Sequence, residues 1–179
     1  MQKRNYQKEL DAIIAEDEKK GIRPRLLIHS CCAPCSSYVM EYLRKSFDLS
    51  MYFYNPNMDS SEEYDKRAAE LKRLIDELNA EDQDHPIHCF IEDYDPENFE
   101  RIVVGHENDP ERGARCMLCY ELRLRKTAEF MEAYNAGGEL PFDYFASTLS
   151  LSPLKNAEAL NSIAEQIAKQ KHLQALSND

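Results

Sequence analysis

The chain has 179 residues, of which 33 are acidic and 22 are basic, and its formal net charge is −11. This length provides one domain with a substantial core and is short for two. Because the neutralisation of phosphates requires clustered lysine and arginine, the acid excess excludes a protein that is basic overall. Only a local basic face remains, around the run "RLRK" at 123–126.

The sequence carries no signal for export or for a membrane. No apolar run approaches the roughly 20 residues that cross a bilayer. The N-terminal stretch "MQKRNYQKELDAIIAEDEKKG" lacks the apolar core of a secretory signal. We therefore expect a cytoplasmic protein without a membrane partner, and in that reducing compartment clustered thiols bind metal or carry out redox chemistry more often than they form disulfides.

Short apolar runs typical of strands alternate with longer amphipathic runs typical of helices. Strands are expected at 25–30, 49–57 (closing on the turn 55–57), 86–93 and 141–148. Helices are expected over 5–19, 34–45, 60–78, 96–104, 115–134 and 155–171, the third starting at a Ser60–Glu63 capping box. We separate an N-terminal helical extension, 1–24, from a single α/β domain, 25–179.

This alternation predicts an α/β fold with a mainly parallel sheet and flanking helices, joined by right-handed crossovers. Ligands of such sheets bind beyond the carboxyl ends of the strands. We expect one rim to gather the polar and thiol residues that end the predicted strands: Cys31, Cys32, Asn55, Asp93, Ser147 and Thr148.

The first cysteine segment is "CCAPC" at 31–35. Its part Cys32-Ala33-Pro34-Cys35 resembles the C-x-P-C of thioredoxin-like oxidoreductases, in which a helix N-terminus lowers the thiol pKa. The tryptophan usual before the first thioredoxin cysteine is missing, and Cys31 adds a third thiol. A metal site suits three clustered thiols better than a two-thiol switch does.

The second segment is Cys116-Met117-Leu118-Cys119, whose two cysteines share one helix face. Together with Cys31 and Cys32 they offer four soft ligands, typical of zinc or of an iron–sulfur cluster. A four-cysteine zinc module that binds nucleic acid therefore stays open, although a closed zinc site does not need the fifth thiol, Cys35. Cys89 stands alone inside a predicted strand, and we expect it in the core.

Four segments together resemble the QueH-type epoxyqueuosine reductases over residues 25–166: "IHSCCAPCSSYVMEYL", "FYNPNMDSSEEYDKRAAELKRL", "RCMLCYELRLRKTA" and "FDYFASTLSLSPLKNAEALN". The resemblance implies a fold similar to the adenine-nucleotide α-hydrolases (HUP or Rossmann-like). It implies the reduction of epoxyqueuosine in tRNA, the last step to queuosine, with electrons from an unidentified donor.

The resemblance also implies a [4Fe–4S] cluster held by Cys31, Cys32, Cys116 and Cys119. A neighbouring mononuclear iron would bind Cys35, at a position where relatives often have aspartate; the thiolate changes the charge and the ligand field of that iron.

For the reaction itself, His29 and Asp93 are candidate proton donors, and His29 is equally a candidate for a structural, hydrogen-bonded residue. Asn55 is expected to shape the nucleoside pocket, or to serve only the chain reversal. Arg115 and Arg123 are expected to contact tRNA phosphates, or to form a solvated helix face.

Family chains are expected to continue past the last helix and to finish with Cys-Gly-Cys. The printed sequence ends in "KQKHLQALSND", before such a pair. We expect the domain at 25–179 to lack that segment, and to bind the cluster yet turn over poorly if the distal pair relays electrons.

Overall fold

The computed structural model describes residues 4–138 and 140–178. Its strands are β1 (Arg25–Ser30), β2 (Asp48–Phe53), β3 (His88–Ile91) and β4 (Tyr144–Ser147). Its α-helices are α1 (Tyr6–Lys20), α2 (Ala33–Leu43), α3 (Ser61–Glu81), α4 (Pro96–Ile102), α5 (Ala114–Ala136) and α6 (Ala157–Lys171). A 3₁₀ helix, Thr148–Leu151, follows β4 directly.

All strand pairs are parallel, in the order β3-β2-β1-β4. The predicted α/β class with a parallel sheet is thereby confirmed, and the arrangement is Rossmann-like. The chain adds β2 and β3 on one side of β1 and then crosses to place β4 on the other side. The strand order therefore reverses between β1 and β4, which is where open α/β sheets bind ligands.

Successive side chains of a strand point to opposite faces of the sheet. In this sheet the side chains on both faces are buried in hydrophobic clusters. Leu26 and Ile28 of β1 belong to one core cluster, which also includes Leu71 of α3 and Leu10 of α1. Leu27 belongs to the opposite cluster, under α5 and α6. Each fully buried side chain of this size contributes about 1.5–3 kcal/mol.

Two strands begin later than predicted, because an asparagine side chain forms hydrogen bonds with the backbone of a residue just before each strand. Asn79 of α3 accepts from the Ile87 amide at 2.8 Å and donates to the Ile87 carbonyl at 2.9 Å. Asn135 of α5 binds Phe142 in the same way, at 2.8 and 3.1 Å. These backbone groups are satisfied without a neighbouring strand, so β3 begins at His88 and β4 at Tyr144.

Ser60 caps α3 as predicted, its side chain accepting from the Glu63 amide at 3.2 Å. The reciprocal half of the capping box is replaced, since the Glu63 carboxylate receives the Arg67 Nε–H at 2.5 Å. This ion pair bears on the site, because both side chains face a cavity described below.

After α6 the chain returns along the free edge of β4. Phe145 donates to the Gln174 carbonyl at 3.0 Å and accepts from the Leu176 amide at 2.8 Å. The predicted extension (1–24) and domain (25–179) include residues 1–3, 139 and 179, which lie outside the described residues. That division stays a prediction. Among the described residues, no helix combines the length and the apolar character needed to cross a membrane.

Candidate metal and substrate site

Three thiols meet where β1 passes into α2. Cys31 follows β1, Cys32 is the N-cap of α2, and Cys35 lies in its first turn. The three sulfurs lie within 4.8 Å of one another, and the Sγ atoms of Cys31 and Cys32 are 3.7 Å apart. Tetrahedral thiolates around one zinc-sized ion would be about 3.8 Å apart. The thiol trio, Cys31, Cys32 and Cys35, therefore has a spacing that suits metal binding.

The negative charge of the trio is concentrated on Cys31. Hydrogen bonds from the thiols of Cys32 and Cys35 hold the pKa of Cys31 far below its usual range, helped by the positive charge of Arg123 and the hydroxyl of Thr148. The same hydrogen bonds to Cys31, together with burial, raise the pKa of Cys32 and of Cys35. Thr148, just after β4, donates to the Cys31 sulfur at 3.5 Å. Cys31, at the switch point of the sheet, is therefore the thiol of the trio that ionises most readily.

The second cysteine pair lies at the start of α5. Its N-cap is Gly113, where an added Cβ would lie 2.8 Å from the Pro110 carbonyl oxygen, so only glycine permits this tight approach. Cys116 accepts a backbone hydrogen bond at 3.3 Å from Arg112, and Cys119 is buried. Neither sulfur of the pair belongs to the compact group formed by the trio. The predicted four ligands therefore fall into two sets.

Arg123 is buried against both sets. Its guanidinium donates to Cys119 Sγ at 3.8 Å and to Asn55 Oδ1, and its charge acts on Cys31. The side chain is 5% exposed, and among the described residues no carboxylate forms a salt bridge with it. A buried cation costs free energy unless an anion compensates it. Among the neighbours of Arg123, the cysteine sulfurs of the two sets are the groups able to become anionic.

This position decides against one of the two alternatives for Arg123. Arg123 does not lie on a solvated helix face, because it follows Cys119 by four residues and shares its buried helix face. Its contact with tRNA phosphates stays a prediction. The solvated position is instead taken by Arg125, which pairs with Glu121 at 2.7 Å.

His29 is fully buried beneath the site. Its Nε2 lies 3.0 Å from the Tyr54 carbonyl oxygen and 3.3 Å from Arg123 Nε, and its Nδ1 lies 3.0 Å from the Ser147 hydroxyl. Burial and the nearby charge of Arg123 lower the pKa of His29 to about 3, so the imidazole is neutral at pH 7. Both ring nitrogens are thus engaged, which supports the structural alternative for His29; its role as a proton donor stays a prediction.

Two cavities adjoin the cysteines. The larger, of about 570 Å³, opens beside the thiol trio and has a volume typical of small-ligand pockets. The smaller, of about 180 Å³, opens beside Cys116 and Cys119. The two share three wall residues, Asn57, Arg123 and Lys155.

The other predicted site residues divide between these cavities and the surface. Asn55 lines the larger cavity and is fixed by a 3.0 Å bond from its Nδ2 to the Ser30 carbonyl. Arg115 lines the smaller cavity, with its guanidinium carbon 5.6 Å from the ring centroid of Phe99. Asp93 is exposed and lines neither cavity. The structure does not bring it to the thiols.

Two basic residues of the larger cavity were not predicted as site residues. Arg67 of α3 and Lys155, in the loop before α6, both line the larger cavity. Lys155 pairs with Glu111 at 2.7 Å. The only signal in the sequence was the spacing of Glu63 and Arg67 by four, which predicts a pair on one helix face without predicting what that face contacts.

A Rossmann-like sheet with clustered thiols at its switch point defines a class: an α/β protein able to bind metal beside a nucleoside-sized cavity. The family model described as "Epoxyqueuosine reductase QueH" matches residues 26–179 of this sequence. The chain belongs to this family, as the resemblance implied.

Individual relatives agree. A Streptococcus pyogenes serotype M1 protein named epoxyqueuosine reductase QueH is 39% identical over 168 residues, 94% of this chain and 63% of that protein. A relative of the same name from Staphylococcus epidermidis is 36% identical over 99% of this chain and 73% of its own length. One from Acinetobacter baylyi is 41% identical over 76% of this chain and 57% of its own length. The chain therefore spans less than two thirds of the length of two of these relatives. Because every relative named here is an epoxyqueuosine reductase, neither the thioredoxin-like alternative nor the zinc-module alternative is favoured.

Proposed function

We propose that this protein is an oxidoreductase of the cytoplasm that reduces epoxyqueuosine to queuosine in tRNA, with residues 25–179 as its catalytic domain and 1–24 as a helical extension. Family membership supports the activity. The observation that carries the proposal is the buried guanidinium of Arg123, which lies between two sets of cysteines and forms no salt bridge with a carboxylate of the described residues. Such a site is built for an anionic, thiolate-bound group.

The residues fit a [4Fe–4S] cluster better than a single ion. Cys31, Cys32, Cys116 and Cys119 would hold it, with one thiolate for each iron. A four-iron cluster is larger than one ion, so its ligands need not share one compact group, and the pair at 116 and 119 stands outside the compact trio. Arg123 would supply the compensating positive charge.

Cys35 completes the thiol trio without being needed by the cluster. Because it lies with Cys31 and Cys32 in one compact group, we propose it as a ligand of a neighbouring mononuclear iron. When bound, the metal centre supplies single electrons, two of which, with two protons, convert the epoxide to an alkene and release its oxygen as water. The donor of these electrons is a partner outside the chain.

The chain's own residues would position the nucleoside. The larger cavity has the volume for it, and Asn55 forms a fixed wall because both ends of its amide are already bonded, to Ser30 and to Arg123. Arg115 would contact substrate only from the smaller cavity. Asp93 is exposed, so a proton from its carboxyl would reach the cavity only through water.

The test is turnover. The protein, purified and reduced without oxygen, is incubated with tRNA that carries epoxyqueuosine, and the digested nucleosides are analysed by mass spectrometry. We expect a product one oxygen atom lighter, formed by the wild type and by Cys89→Ser but not by Cys116→Ser. A colourless protein with stoichiometric zinc and an unchanged epoxide would contradict the proposal, as would a metal-free protein that reduces insulin disulfides.

A further inference from the structure

Two stacked tyrosines stand on the surface of α2. Tyr38 is 70% exposed and Tyr42 is 38% exposed. Their ring centroids are 5.8 Å apart and their planes differ by 6°. Exposed large apolar side chains are unremarkable singly, but paired aromatic rings form a flat surface that can bind another ring.

The inner ring of this pair is held in place by α1. The Tyr42 hydroxyl donates to Asp11 Oδ1 at 2.8 Å and accepts from Gln7 Nε2 at 3.0 Å. Tyr38 is therefore backed by a fixed ring, while most of its own surface faces solvent. A ligand that stacks on Tyr38 would meet a surface that is already ordered, so little conformational entropy would be lost on binding.

The pair lies on the face of α2 that also carries Cys35. Cys35, Tyr38 and Tyr42 are spaced by three and four, so they follow one another along one face of α2. Helical side chains lean toward the N-terminus of their helix, which directs Tyr38 toward Cys35. Cys35 lines the larger cavity and Tyr38 does not. Tyr38 thus lies outside the pocket, on the helix face that leads to it.

We propose that Tyr38 stacks on an unpaired nucleobase of the tRNA next to the nucleoside held in the cavity. This inference rests on the proposed function. Proteins that recognise RNA loops stack splayed bases on aromatic side chains. A nucleobase suits this surface better than a phosphate does, because the chain carries a net charge of −11 and the cavity cations Arg67 and Lys155 already pair with carboxylates.

The test is base stacking itself, measured without turnover. An anticodon stem-loop RNA carrying epoxyqueuosine is made with fluorescent 2-aminopurine on one side of that nucleoside or on the other. Wild-type protein is expected to quench one of the two probes. Tyr38→Ala is expected to abolish the quenching and to weaken binding about fivefold to a hundredfold. Tyr38→Phe, which keeps the ring, is expected to retain both.

The matched control is Val104→Ala, which removes an apolar side chain that is 72% exposed and lines neither cavity. It should bind and quench as the wild type does. In turnover, Tyr38→Ala should raise KM more than it lowers kcat. Unchanged quenching and affinity in Tyr38→Ala would overturn the inference and would favour a protein partner for the tyrosines. Equal losses in Tyr38→Ala and Tyr38→Phe would also overturn it. Quenching by a protein that leaves the epoxide intact would support the stacking while contradicting the proposed function.

Discussion

Arg123 carries its charge where water reaches little of it. A thiolate about 4 Å away contributes about 4 kcal/mol at an effective dielectric constant of 20. Cys119 Sγ lies at 3.8 Å, while the other close partners, Asn55 and His29, are neutral. Without thiolates beside it, the buried guanidinium would lower the free energy of unfolding. Its burial is compensated only when the site is anionic.

The first prediction concerns this residue. Arg123→Met preserves most of the side-chain volume and removes the charge. We expect it to weaken iron retention about 10- to 100-fold, as is typical for groups that support metal ligands from behind. The measurement is the chelator concentration that bleaches half of the visible absorption of the loaded protein.

Arg125→Met is the matched control, because Arg125 lies on the same helix but pairs with Glu121 on the solvent side. It should retain iron as the wild type does. The metal-free Arg123→Met protein should unfold at a urea concentration no lower than the wild type, since a buried charge has been removed. Equal iron retention in the two variants would show that Arg123 does not compensate the bound group.

At the same scale, the sequence predicted the cysteines but not the burial of Arg123. Cysteine spacing carries ligand chemistry directly, so the motif alone predicts Cys31, Cys32, Cys116 and Cys119 as ligands, and this ligand set stays a prediction. Arg123 was taken for a surface residue because composition favours exposed arginine. Arg123 follows Cys119 by four residues and so shares its helix face, but this spacing predicts burial of Arg123 only once Cys119 is known to be buried.

Among the elements, a clasp joins the two halves of the site. Arg112 donates from Nε to the Leu154 carbonyl at 3.1 Å and from Nη2 to the Pro153 carbonyl at 2.7 Å. The backbone amide of Arg112 donates to Cys116 Sγ. The segment that accepts its side-chain hydrogen bonds follows the 3₁₀ helix that begins at Thr148. The clasp therefore ties the start of α5 to the end of β4.

The second prediction uses the backbone of the clasp. Arg112 has φ = 69°, a left-handed conformation that side chains with a Cβ adopt at a cost. Arg112→Ala and Arg112→Gly both lose the two side-chain hydrogen bonds, but glycine adopts this φ without strain. We expect Arg112→Gly to be more stable than Arg112→Ala by about 1 kcal/mol, measured by urea unfolding. Equal stabilities would show that the backbone here is not strained.

The sequence located each helix and strand, and it erred at their ends. Apolar periodicity identifies the buried residues of β3 and β4, but it contains no information about Asn79 and Asn135. These side chains bind the backbone eight and seven residues away, and strand pairing therefore begins later than predicted. Contacts of this kind depend on how a helix packs beside a strand, which local patterns do not specify.

For the whole molecule, the strand order decides where chemistry takes place. Alternating strands and helices predicted a parallel sheet, but not that β4 would pair with β1 on the side opposite β2. That crossing places Thr148 against Cys31 and opens the larger cavity beside them. The order arises from long-range packing of two hydrophobic clusters, so a single sequence left it open.

The same architecture leads to the central claim, that cysteines from two distant segments hold one iron–sulfur cluster. The measurement is the iron and acid-labile sulfide content per chain after anaerobic reconstitution, for the wild type, Cys116→Ser and Cys89→Ser. Cys89 is partly buried against the core, and burial raises the pKa of its thiol to about 11, which makes it a matched control thiol. Circular dichroism verifies that both variants are folded.

We expect iron and sulfide in the wild type and in Cys89→Ser, and loss of sulfide together with most of the iron in Cys116→Ser. Equal contents in the two variants, or sulfide-free zinc in the wild type, would contradict a cluster held by both cysteine segments.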